Sequence, residues 1–154
     1  MPLVACLFSF ALATESYAFS PKAKAQLFKT NKCQGCDLSG INLKGVYLMR
    51  ADLSGADLSG ANLTETILTK AKLKGANLQG AILKRVKLGG ANLEGANLKY
   101  ADLSYALLYY ANLKSANLEG ALLYNINLKK AILGGAIWMD GVLCRDESKG
   151  KCVY

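Results

Sequence analysis

Two cysteine pairs, Cys33 with Cys36 and Cys144 with Cys152, are the side chains best equipped for chemistry. Cys33-Gln34-Gly35-Cys36 has the spacing of a redox or metal motif, because two thiolates so placed can exchange a disulfide or share an ion. The chain contains no histidine, which removes the commonest general base and metal ligand. Asp37 and Asp57 remain as a conceivable acid and base. Their place in the chain is also held by Asn77, Asn97 and Asn117, and a turn role explains all five residues where catalysis explains only two. Neither a phosphate-binding glycine loop nor a nucleophile motif accompanies them. The expectation is therefore no catalytic residue, no metal site, no cofactor and no enzyme.

The element that must position these residues is a five-residue phrase running without interruption from Cys36 to Arg145, 22 units in all. Leu stands at every fifth position from Leu38 to Leu143 except at Trp138. A period of five matches neither the helical 3.6 nor the strand 2.0, so the chain must turn within each unit. The third residue, Leu, and the first, usually Ala, point inward; the second, mostly Asn or Asp, points outward between them. The fifth residue is often Gly. Asn and Asp can bond neighbouring amides and Gly tolerates positive φ, so these residues make corners.

The exceptions count the sides. Among larger residues at the first position, Val46, Thr66, Val86 and Ile126 differ by multiples of twenty, with Ile41 outside that series. The outward Asn or Asp is also missing in this register at Tyr47, Ile67, Lys87 and Leu107. Four units thus make one turn of a coil. The array should hold about 5.5 coils and stand roughly 26 Å tall.

The series Ala51-Asp52-Leu53-Ser54-Gly55 and Ala76-Asn77-Leu78-Gln79-Gly80 resembles the pentapeptide repeat family. That resemblance implies an all-β solenoid, a right-handed quadrilateral β-helix with Leu at the centre of each side. With its helical cap and export signal, the chain is similar to cyanobacterial members sent to the periplasm or thylakoid lumen. Some members of the family mimic DNA and inhibit topoisomerase, a role that needs an acidic rod. A net charge of +8 argues against it here.

Residues 1–18 read as a secretory signal: Leu3 to Ala13 is apolar, and Ser16-Tyr17-Ala18 suits cleavage after Ala18. Cleavage after Ala13 and a buried N-terminal helix are the alternatives, and no Lys or Arg precedes the apolar run. Cys6 would leave with the signal, and the four cysteines that stay fit an oxidising compartment. Residues 19–35 form an N-terminal cap, in which Ser20-Pro21 starts a helix with an apolar stripe of Ala23, Leu27 and Phe28, ending near Asn31. Residues 146–154 form the C-terminal cap, and Trp138 plugs the core beside it. The two cysteine pairs then lie about five coils, roughly 25 Å, apart. One metal site cannot span them, and disulfides are confined to Cys33–Cys36 and Cys144–Cys152. For the first pair, free thiols and redox exchange stay open as alternatives.

Specific function must lie in departures from the repeat. Two sets of corners lose Gly, giving Arg50, Lys70 and Lys130 in one and Arg85 in the other. With Lys44, Lys84, Lys87 and Lys129 nearby, they suggest a basic side, the alternative being a solvated face that keeps the rod soluble. Tyr100, Tyr105, Tyr109 and Tyr110 occupy successive corners of one coil, with Tyr124 one coil later. Such tyrosines resemble an interface composition or stack between corners. The leading expectation is an exported, monomeric, non-enzymatic structural or protein-interaction solenoid with an unidentified protein partner. A basic rod that binds an anionic membrane surface or an acidic protein is the second, and nucleic acid ranks last.

Overall fold

The computed structural model describes residues 19–154; the expected signal, Cys6 and both cleavage positions lie outside them. Helix α1 spans Pro21–Thr30. The Ser20 hydroxyl accepts the Ala23 amide at 3.3 Å, and Pro21 occupies the first turn, where its missing N–H costs nothing. Asn31 stops the helix in a left-handed conformation, its amide donating to Leu27 O at 2.8 Å. Ala23 and Leu27, one helical turn apart, are buried against the coil. Phe28 is 53% exposed, because the next residue along a helix points about 100° away from Leu27. The expected three-residue stripe therefore buries only two.

From Lys32 onward the chain is a solenoid. Residue i pairs in parallel with residue i+20, from Lys32↔Asp52 to Asn117↔Ile137. Four ladders result, carried by the outward second residues that begin at Lys32, Asp37, Asn42 and Tyr47. Twenty residues thus make one turn, as the replacements at 46, 66, 86 and 126 predict. Pairing is by isolated bridges rather than long strands. The reason is that each side runs only a few residues before the next corner, so continuity lies across the coils. In the middle of the array, for example, Leu93 N donates to Asn112 O at 2.7 Å while Asn92 N donates to Ala71 O at 2.9 Å.

Inside, Leu and Ala close the core to solvent: Leu53, Leu73, Leu93 and Leu113 have no exposed surface. Cys33 takes an equivalent inward place in the first coil. Thr66 is the one polar side chain among the inward first positions, and its hydroxyl donates to Leu43 O at 2.7 Å, so its burial is compensated.

The register changes at the C-terminal end. Trp138 is buried, as a plug should be. The chain then reverses at Gly141, with Trp138 N donating to Val142 O and Gly141 N to Trp138 O, and returns antiparallel through Ile137↔Leu143 and Ile132↔Lys149. Leu143, inward by the five-residue period, is instead 62% exposed, and Cys144 takes the buried place. Reversal shifts the alternation by one residue, and a shift of one exchanges the faces.

Candidate interaction face

Corners that follow an Asn or Asp share one construction. The outward Asn or Asp accepts the amide two residues on, as in Asn62 Oδ1 from Thr64 N at 3.1 Å and Asn97 Oδ1 from Lys99 N at 3.2 Å. The fifth residue then adopts a left-handed conformation, with φ between 51° and 69° from Gly35 to Gly135. Most fifth positions on the Lys32 and Asp37 sides are Gly, for which this costs little. On the two corners that flank the Tyr47 side, the same φ is imposed on Arg50, Lys70, Tyr110 and Lys130, and on Glu65, Arg85, Tyr105 and Asn125. A left-handed non-glycine residue costs about 1 kcal/mol or more, so the side chains at these corners are kept against the local backbone preference.

The Tyr47 ladder continues through Ile67, Lys87, Leu107 and Asn127. Between and including its two corners, this side carries eight Lys or Arg residues against one carboxylate, Glu65. The opposite side, along the Asp37 ladder with its corners, carries three Lys against five Asp or Glu. The Tyr47 side thus carries a net charge of +7 and the opposite side −2.

Ion pairing deepens the contrast. On the opposite side Lys74 meets Glu94 at 3.0 Å and Lys99 meets Glu119 at 2.8 Å. On the Tyr47 side, Arg85 meets Glu65 at 3.5 Å and Lys84 reaches Asp102 at 3.1 Å on the neighbouring Asn42 ladder. Lys44, Arg50, Lys70, Lys87, Lys129 and Lys130 make no ion pair among the described residues.

Of the tyrosines and basic residues singled out by sequence for an interaction surface, all but Tyr100 lie around this face. Arg50, Lys70, Tyr110 and Lys130 succeed one another at twenty-residue intervals along one corner, interrupted by Gly90, with Tyr109 adjoining. Lys130 Nζ stands 5.2 Å from the Tyr110 ring centre, and Tyr109 meets Tyr110 edge to face at 6.3 Å. The Tyr109 ring lies over Gly89, where any Cβ would come within 2.3 Å of it. Along the other corner, Arg85 faces the Tyr105 ring at 5.8 Å, and Tyr105 meets Tyr124 edge to face at 5.3 Å. Thr64, Lys84, Arg85, Ser104 and Tyr105 line a shallow depression there, about 320 Å³ in volume. Tyr100 stands apart, at the corner between the Asp37 and Asn42 sides, its ring over Gly120. The tyrosines of one coil thus occupy three successive corners, because successive units point to successive sides.

Sequence reasoning used the missing Asn and Asp at Tyr47, Ile67, Lys87 and Leu107 to count sides and passed over what the replacements expose. Tyr47 is 79% exposed and Met49 52%, and both belong to the face. The signal was present in the ladder that gives up its turn-forming residue most completely, keeping Asn only at Asn127.

The remaining chemistry is structural. Cys33 is bonded to Cys36 and Cys144 to Cys152, with Cα separations of 5.3 and 5.1 Å. Asp37 and Asp57 stack as the period requires. Asp37 accepts the Ser39 amide and hydroxyl at 3.1 and 2.7 Å. Asp57 accepts the Ser59 amide at 2.9 Å and an Asn77 Nδ2–H at 3.0 Å, and Asn97 repeats the contact on Asn77. The Ser59 amide and hydroxyl hold the Asp57 carboxyl below its ordinary value, outweighing burial, with Asn77 adding to the effect. Such a carboxylate is a hydrogen-bonded ladder end rather than a poised proton donor. No helix among the described residues is long and apolar enough to cross a membrane.

A family model for pentapeptide repeats matches the chain in 8 copies, over residues 32–64, 47–85, 83–109 and 106–137. Among solved structures, a pentapeptide repeat protein (Rfr23) of the cyanobacterium Cyanothece is 33% identical over 75% of this chain and 92% of its own, with a TM-score of 0.73. A pentapeptide repeat protein of Nostoc is 35% identical over 60% of this chain and 78% of its own, with a TM-score of 0.56. One from the Arabidopsis thaliana thylakoid lumen is 30% identical over 82% and 88%, with a TM-score of 0.49. No curated protein matches.

Proposed function

Because this chain belongs to the pentapeptide repeat family, whose members are generally non-enzymatic structural proteins, we propose that it is an exported interaction solenoid whose working surface is the Tyr47 side and whose partner is anionic. The observation that carries this reading is the set of six cations that lack a carboxylate on that side. Unpaired like charges on a rigid face repel one another, and an external anion relieves that repulsion. Registered sides offer a broad surface rather than the enclosed cleft that substrate chemistry needs. The right-handed quadrilateral form is part of the same proposal, supported by four ladders at a spacing of twenty. So are the division into signal 1–18, cap 19–35, sequence repeat 36–145, whose last residues from Gly141 fold back with the cap, and cap 146–154, and the monomeric state. Export to a periplasm or lumen is supported by the apolar run Leu3 to Ala13 and the two disulfides.

Retention on a heparin matrix tests the face. The chain should bind at low salt and elute as salt rises. Reversing Arg50, Lys70 and Lys130 to Glu should abolish retention, while reversing Lys74 and Lys114 on the other sides should leave most of it. Absence of retention at low salt overturns the proposal.

A further inference from the structure

We infer that the anionic partner of the Tyr47 side is a bilayer surface, on which the solenoid lies peripherally with this side down. The inference rests on the reading above and adds the partner's class. Three features of the face favour lipid headgroups over an acidic protein.

The first is the kind of cation. Of the eight basic residues on this side, six are Lys and two are Arg. The planar fork of Arg pairs with fixed carboxylates, whereas the Lys ammonium is a point charge with no such demand on geometry. A fluid layer of anionic headgroups offers no fixed geometry, and it attracts Lys and Arg alike as point charges.

The second is their distribution. The six unpaired cations run from Lys44 and Arg50 in the first coil, through Lys70 and Lys87, to Lys129 and Lys130 in the last full one, on both corners and the side between. A plane can meet all of them at once. The depression beside Arg85 and Tyr105 is local to one corner and holds the two cations that already have carboxylates.

The third is what lies between the charges. Tyr47, Met49, Tyr110 and Tyr124 are each more than half exposed on the face or its corners, and the Tyr47 ladder adds the partly buried Ile67 and Leu107 between them. A Tyr ring has an apolar body and a polar tip, which suits the headgroup level of a bilayer. Basic residues interleaved with such groups on one face, and carboxylates on the face opposite, make a surface polarised across the rod in the manner of an interfacial helix, built here from a β-solenoid.

Co-sedimentation of the full chain with vesicles tests this. One set is phosphatidylcholine alone; the other is equal parts phosphatidylcholine and phosphatidylglycerol. Binding should need phosphatidylglycerol and weaken with salt. R50E/K70E/K130E should lose at least about 100-fold in partitioning, since each removed cation weakens it about fivefold. That variant keeps the same N-terminus, so the comparison isolates the face, and an unchanged melting profile would show that it is folded. In Tyr47→Trp, with Trp138 replaced by Leu to silence it, emission should shift to the blue on binding. Heparin retention without vesicle binding overturns the bilayer inference and leaves an acidic macromolecule as partner. Failure on both supports overturns the basic-face reading itself. Vesicle binding that is unchanged in the triple variant, or a Tyr47→Trp probe that stays solvent-like, also overturns the inference.

Discussion

Asp57 shows how a repeat turns a titratable residue into scaffold. Its carboxylate receives the Ser59 amide and hydroxyl and the Asn77 amide group, which together lower its pKa against the opposing effect of burial. For Asp52 and Asp102 burial is the largest influence and pushes up, but Ser54 with Lys72, and Ser104 with Lys84, outweigh it. A carboxyl with a lowered folded pKa stabilises the fold fully above the unfolded value, about 3.9 for Asp. That stability is lost as pH falls through the folded value. Thermal stability should therefore be level from neutral pH to about 5 and decline below about 4. Asp57→Asn should shallow the decline without breaking the ladder, since Asn77 and Asn97 already fill the same role. A steeper acid decline in that variant would contradict this role for Asp57.

At the scale of elements, the two ends are closed by different means. Helix α1 closes one end with Ala23 and Leu27. The other is closed by a returning segment, in which Leu133 N donates to Ser148 O, Cys144 N to Ala136 O and Gly150 N to Ala131 O. That segment buries little apolar surface, since Val142, Leu143 and Tyr154 are exposed, and the Cys144–Cys152 bond constrains it across eight residues. Closing so short a loop restrains the unfolded chain by roughly 2.5 kcal/mol. Paired Cys144→Ser and Cys152→Ser changes should cost about that much in chemical denaturation. They should also raise amide exchange first at Cys144 and Ser148, while mid-array amides such as Leu93 keep their protection. Equal loss at both places would mean that the cap and the array unfold as one unit.

For the whole molecule, stability is a stack of equivalent layers, each touching mainly its neighbours. Leu93 is fully buried in the middle of that stack. Leu93→Ala should cost about 2 to 5 kcal/mol, because neighbouring coils held in register by ladder bonds cannot collapse into the gap. Leu93→Asp should prevent folding, placing a charge in a column of Leu and Ala. Denaturant midpoints for the first, and circular dichroism for the second, measure both outcomes.

Much of this architecture was readable residue by residue. Leu at every fifth place, Asn or Asp two residues before it turns, and branched residues at 46, 66, 86 and 126 determined the period, the inward column and twenty residues per turn. These are local or periodic constraints, and each repetition confirms the last. The same count confined any disulfide to Cys33–Cys36 and Cys144–Cys152, and the structure bonds both pairs. Only the tertiary structure decided the rest, because it depends on contacts between units and on where periodicity ends. It placed Phe28 outside the cap contact and turned Leu143 outward after the reversal at Gly141. It also decided which lysines find a carboxylate one coil away and which, around Tyr47, do not.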